Sequence, residues 1–213
     1  LVFLVLLTAL SLSTSQQQNP LEVNGGSCIA MKGKNCIVIA SDKRFGQQNT
    51  LISSNAKRVL KLNSRLLCGC TGLTSDVQTV MQDLSHAVKK FKMSQKSHLE
   101  PSIAASILSS FLYSKRGSPY FCETLIAGLD SSNKPFLKSH DVLGAGEGDQ
   151  NFAAIGTSAS TLYGLCEALY KPEMSPDELA DVVSKCIFYA FERDCLSGNG
   201  SVVYLLTEKG IYC

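Results

Sequence analysis

The chain has 213 residues and a formal net charge of +2, with 45% hydrophobic and 18% charged residues. That composition is globular, with enough apolar material for one domain of two or more layers, and it excludes a disordered chain. The 20 Lys and Arg residues are scattered against 18 acids, so the sequence offers no basic face to a nucleic acid or a membrane.

Leu1 to Leu12 (LVFLVLLTALSL) is an apolar run too short to span a bilayer comfortably, but as long as a signal-peptide core. Ser13-Thr14-Ser15 and a polar spacer, Gln16 to Pro20, follow it. The run reads as a secretory signal, or else as a leader or gene-start artefact, and residues 1–22 are set apart from the fold as an N-terminal extension. Nine cysteines lie at positions 28, 36, 68, 70, 122, 166, 186, 195 and 213, mostly inside apolar runs. No C-x-x-C pair occurs and His86, His98 and His140 are scattered, so no metal site and no cofactor is expected. Buried free thiols in a reducing compartment fit this pattern better than a disulfide framework.

The domain proper, 23–213, opens on a β-hairpin: Ser27 to Met31, a turn at Lys32 to Asn35, and Cys36 to Ser41. The second strand is almost wholly apolar, which predicts burial on both faces. It ends on Asp42-Lys43-Arg44, and Phe45 to Ala56 then reads as polar and turn-rich. Strands are expected at Arg58 to Leu62 and Leu66 to Gly69. A helix follows with Thr74 or Ser75 as N-cap, and Val77, Val80, Met81, Leu84, Val88 and Phe91 as its apolar face. Lys92 to His98 reads as a link, and Pro101 starts a second helix with Ile103, Ala104, Ile107, Leu108, Phe111 and Leu112 on one stripe. Gly117-Ser118-Pro119 breaks the chain before a strand from Tyr120 to Leu129, a turn at Asp130 to Asn133, and a return strand from Pro135 to Ser139.

After the flexible stretch Gly144 to Asp149, Phe152 to Ile155 is a short strand. Gly156-Thr157-Ser158 caps a third helix bearing Leu162, Leu165, Cys166 and Leu169. Ser175-Pro176-Asp177-Glu178 starts a fourth: a serine cap, proline at the first position, and acids at the positive end of the helix dipole. Its face is Leu179, Val182, Val183, Cys186, Ala190 and Phe191. A last strand runs from Ser201 to Thr207, and Gly210 breaks its end. Runs of strands alternating with helix pairs imply helix layers on both faces of stacked sheets, a four-layer α/β (α+β) domain.

Several of these segments, in order, resemble the proteasome beta-subunit family, and within it the type-3 group. They are Asn24-Gly25-Gly26, Ala30 to Cys36, Asp42 to Gly46, Thr71 to Val80, Ile126 to Asp130, Gly156-Thr157 and Arg193 to Gly198. The resemblance implies an αββα sandwich of the N-terminal nucleophile hydrolase type. It also implies a place in a ring within a barrel of about 28 chains, with other alpha and beta subunits as partners and polypeptide substrates inside the chamber. The cytoplasm and nucleus are the implied location.

Active members of that family attack the peptide carbonyl with an N-terminal threonine whose own α-amino group takes the proton. The matching position here is Gly26, which has no side chain. The family's active-site lysine falls at Arg58, Asp42 and Asp194 match its acids, Ser197 matches a serine, and Thr157 stands where a serine is usual. These degenerate positions imply a structural, non-catalytic subunit with no catalytic residue of its own. Two alternatives stand beside it. One is a self-processing hydrolase using Ser27, which a one-residue slip on a strand turns to the opposite face. The other is a secreted, disulfide-containing globular protein.

Overall fold

A computed structural model describes residues 19–95 and 99–213; the apolar run Leu1–Leu12 and part of the link ending at His98 lie outside them. A short 3-10 turn at Pro20–Glu22 leads into the hairpin of β1 (Ser27–Gly33) and β2 (Cys36–Asp42). A two-stranded ribbon follows, β3 (Phe45–Gln47) with β4 (Thr50–Ser53), then β5 (Val59–Asn63) and β6 (Leu66–Gly72). Next come α1 (Thr74–Gln95) and α2 (Pro101–Ser114), then β7 (Cys122–Leu129), β8 (Pro135–His140) and β9 (Phe152–Gly156). The chain closes through α3 (Ala159–Leu169), α4 (Pro176–Phe191), β10 (Ser201–Thr207) and β11 (Gly210–Tyr212).

The strands form two large antiparallel sheets, one ordered β11-β10-β2-β1-β9 and the other β5-β6-β7-β8. Alternation along the strands sorts side chains into three apolar layers. Ile29, Met31, Val38 and Ala40 pack against Leu162, Leu179, Val183 and Cys186 of α3 and α4. Leu66, Cys68 and Ile126 pack against Val80, Leu84 and Leu108 of α1 and α2. Between the sheets lie Cys28, Ile37, Ile39, Leu67, Leu125 and Leu137. The result is an αββα sandwich. It explains why β2 is buried at every position: helices cover one face and the second sheet covers the other.

Sequence and structure part at several places, each with a local cause. β3 and β4 occupy a stretch read as turns; β4 is exposed throughout, so no alternation of apolar residues marks it. Helix α1 continues to Gln95 through residues read as a link, since no proline or glycine stops it before there. Its first N–H is not capped by Thr74 or Ser75. Asn24 Oδ1 accepts the Thr74 N–H at 2.9 Å from 50 positions upstream. In α2, Ala105 is buried while Ile103 is 41% exposed, so the buried stripe is rotated from the expected one. Gly210 starts a strand rather than ending one: its φ of +140° closes a tight return that pairs β11 with β10. Ser175 caps α4 as read, its Oγ accepting the Glu178 N–H at 3.4 Å. All nine cysteines are free thiols, with Cys195 and Cys213 exposed and the rest buried.

Candidate functional site

The site lies where the β1–β2 hairpin opens. Asp42 ends β2 fully buried, and four donors converge on its carboxylate. Oδ1 accepts the Ser27 N–H at 3.1 Å and Arg58 Nε at 2.5 Å; Oδ2 accepts the N–H groups of Arg44 at 3.2 Å and Gly198 at 3.4 Å. Arg58, just before β5 and only 4% exposed, also donates Nη2 to the Arg44 carbonyl at 2.5 Å. Burial pushes the Asp42 carboxyl up, against the pull of the Arg58 guanidinium and the Ser27 and Gly198 N–H groups.

Gly26 sits directly against that guanidinium. A Cβ built on Gly26 would overlap Arg58 Cζ, Nη2 and Nε, and its φ of +107° is a conformation L side chains rarely adopt. Gly25 is equally constrained: φ is +64°, and a Cβ there would strike the Leu196 carbonyl. Arg58 therefore fills the volume that a side chain at position 26 would need.

The remaining positions form a second group beside the first. Thr157 donates its N–H to the Gly26 carbonyl at 3.1 Å and its hydroxyl to Asp194 Oδ2 at 2.6 Å. Asp194 Oδ1 accepts the Leu196 N–H at 2.9 Å, which shapes the turn that brings the Gly198 N–H to Asp42. Ser197 is buried, and its Oγ has no hydrogen-bond partner among the described residues. The structure thus sets Arg58 against both Gly26 and Asp42, with Thr157, Asp194 and Ser197 around them.

Ser27 faces elsewhere. Its parity is that of Ile29 and Met31, the helix-facing side of β1. Its Oγ accepts the Ser158 N–H at 3.1 Å and the Ser158 hydroxyl at 2.5 Å, at the start of α3. Gly26 has the parity of Cys28, which looks between the sheets. Cys28 offers no substitute nucleophile, since burial pushes its thiol far up. Among the described residues no group of three His, Cys, Asp or Glu could hold a metal ion.

Three contributors were missed in the sequence. Arg44 is 5% exposed and donates Nη1 to the Leu196 carbonyl at 3.2 Å and Nη2 to the Gln48 carbonyl at 2.7 Å. Asn24 bridges Gly46 and Thr74, its Nδ2 reaching the Gly46 carbonyl at 3.0 Å. Ser158 engages Ser27. A buried arginine could have been suspected from Asp42-Lys43-Arg44 following an apolar strand; the partners of Asn24 and Ser158 lie too far along the chain to be read locally.

A family model described as "Proteasome subunit" matches residues 22–206. The chain is 42% identical over 190 residues to proteasome subunit beta type-3 of Picea mariana, covering 89% of this chain and 93% of that one. It is 40% identical over 187 residues to the probable proteasome subunit beta type-3 of Schizosaccharomyces pombe, with 88% and 92% covered. The beta type-3 subunit of Drosophila melanogaster is 39% identical over 192 residues, with 90% and 94% covered.

Proposed function

This chain belongs to the proteasome subunit family, and on that premise we propose that it is a non-catalytic, type-3-like beta subunit of the core particle. It completes the beta ring and shapes the chamber, while neighbouring subunits cut the polypeptides delivered by ATP- and ubiquitin-dependent degradation in the cytoplasm and nucleus. Its partners are the alpha and beta subunits of a barrel of about 28 chains.

One observation carries the non-catalytic part. The place of a nucleophilic side chain at position 26 is taken by the Arg58 guanidinium, itself tied to Asp42 and to the Arg44 carbonyl. N-terminal threonine chemistry needs a hydroxyl and a free α-amino base within hydrogen-bond reach. Gly26 has no hydroxyl, and its nitrogen is a peptide N–H following Gly25. The residues just upstream are bound into the domain: the Val23 carbonyl accepts the Gln48 N–H at 2.8 Å, and Asn24 holds Gly46 and Thr74.

The test is to purify the assembled particle through a tag on this chain and treat it with a covalent inhibitor of N-terminal nucleophiles. Mass spectrometry should find the label on other beta chains and none on this one. A mature chain beginning at Ser27 and carrying the label would overturn the reading.

A further inference from the structure

Two of the asparagines, Asn24 and Asn199, are followed by glycine. In such a pair the glycine nitrogen can close a five-membered ring on the asparagine Cγ, and no Cβ on the second residue hinders the approach. An asparagine amide so placed is thermolabile. The fold treats the two pairs oppositely.

Asn24 is held at both ends of its amide. Nδ2 donates to the Gly46 carbonyl at 3.0 Å, and Oδ1 accepts the Thr74 N–H at 2.9 Å. Gly25 behind it is buried and crowded against the Leu196 carbonyl. The amide reaches the Gly25 nitrogen only if both bonds open. Asn199 lies in the turn between α4 and β10, and both it and Gly200 are exposed. Their φ values are +57° and +96°, which shapes a tight turn. Among the described residues, neither the Asn199 amide nor the Gly200 N–H takes part in a hydrogen bond; the neighbouring groups hold the turn. The Lys43 N–H donates to the Gly198 carbonyl at 3.3 Å and the Gly200 carbonyl at 3.1 Å, and the Gly198 N–H donates to Asp42 Oδ2 at 3.4 Å. The Asn199 amide is thus free to turn, the attacking nitrogen is unengaged, and water reaches both.

We propose that Asn199 is a site of spontaneous modification, converted through a cyclic imide with Gly200 into aspartate or isoaspartate. The Gly200 nitrogen gives up its proton and bonds to Asn199 Cγ, the Cγ–Nδ2 bond breaks, and ammonia leaves with a proton. Water then opens the imide at either carbonyl, so one water is taken up for one ammonia released and nothing is oxidised or reduced. Aspartate sets a carboxylate beside Lys43, whose Cδ lies 3.5 Å from the place of a Cβ on Gly200. Isoaspartate adds a carbon to the main chain between Gly198 and Gly200, whose carbonyls share the Lys43 N–H. That extra length falls where the Gly198 N–H is delivered to Asp42, so it loosens the buried carboxylate's setting. The proposal does not depend on the subunit being non-catalytic. Asn199-Gly200-Ser201 also matches the acceptor pattern for N-linked sugar in secretory compartments, a different reaction of the same amide that the experiment separates.

The experiment incubates the full chain in heavy-oxygen water at neutral and mildly alkaline pH and maps tryptic peptides by mass spectrometry. Peptide 194–209 holds Asn199 as its only amide side chain, and an isoaspartyl methyltransferase label separates the two products. Asn199 should convert at least about tenfold faster than Asn24, where two hydrogen bonds must open first. The rate should rise with pH as the glycine nitrogen loses its proton more readily. In guanidinium chloride the two rates should converge to within about twofold, because the difference belongs to the fold. Asn199→Gln, which must close a larger ring, should slow the conversion at least about tenfold. In the isoaspartyl form, amide exchange at Lys43 and Gly198 should quicken at least about fivefold. An intact Asn199 after incubation, Asn24 converting as fast in the folded chain, a gap that persists on unfolding, unchanged exchange at Lys43 and Gly198, or a sugar on Asn199 in protein from its own cells would each overturn the proposal.

Discussion

Charge removal at the buried pair gives the sharpest test of how the site is held. Arg58→Gln leaves the Asp42 carboxylate buried with only backbone donors: Ser27, Arg44 and Gly198. Removing one partner of a buried pair costs about 3–5 kcal/mol. The three remaining N–H groups place the expected loss near the low end, about 3 kcal/mol. Asp42→Asn leaves the guanidinium uncompensated in the same pocket and should cost at least as much. The double variant, Asp42→Asn with Arg58→Gln, buries two neutral amides that can still hydrogen-bond to each other and to the backbone. It should lose only about 1–2 kcal/mol, so the coupling energy is at least about 4 kcal/mol. Urea unfolding of the four proteins gives the cycle, and a 3 kcal/mol loss corresponds to a fall in Tm of roughly 6–12 °C for a chain of this size. Additive losses, with coupling under about 0.5 kcal/mol, would refute the claim that Arg58 and Asp42 hold one another in place.

Gly26→Thr should fail as a revival. The positive φ and the collision with Arg58 should cost roughly 2–4 kcal/mol, with no label from a nucleophile-directed inhibitor, and adding Arg58→Lys should recover part of the loss in thermal unfolding. His140 is buried, and burial first, then Lys138, lowers its pKa from 6.5 to about 4 against the opposing pull of Asp141. The unfolded chain therefore takes this proton first as pH falls. The stability tied to His140 is whole above about pH 6.5, declines by roughly 3 kcal/mol toward pH 4, and a His140→Leu variant should lack that share of the slope in urea titrations. Leu108→Ala empties a fully buried place under the second sheet and should cost about 2–5 kcal/mol, whereas Ile103→Ala on the same helix should stay within about 0.5 kcal/mol. Equal losses at the two positions would contradict the orientation of α2.

The periodic elements were legible because burial leaves a pattern. Helix faces such as Leu179, Val183 and Cys186, and the apolar run of β2, follow from which side meets the core. Elements without a buried face left no such mark. Strands β3 and β4 pair with each other and not with the large sheets, and β4 shows solvent at every residue, so polar composition was read as turn. The rotation of α2 was illegible for another reason. Ile103 and Ala105 are both apolar, and only the neighbouring surface decides which of them turns inward.

The site shows the same division between identity and placement. The residues Gly26, Asp42, Arg58, Thr157, Asp194 and Ser197 could be named only through the resemblance to the family, and the way Gly26 and Arg58 depend on each other not even then. Only in three dimensions does the guanidinium occupy the place of a Cβ at position 26. Arginine is tolerated there because glycine is bare, and the bare glycine leaves no void because arginine fills it. Its fork bonds Asp42 and the Arg44 carbonyl at once, which a lysine's single nitrogen on an unbranched stem would not reproduce. Each residue therefore makes reversal of the other unfavourable: threonine at 26 collides while Arg58 remains, and lysine at 58 leaves space while Gly26 remains. A return to chemistry would need both changes together, and in addition the release of Val23 and Asn24 from Gln48, Gly46 and Thr74 so that residue 26 could become an amino terminus.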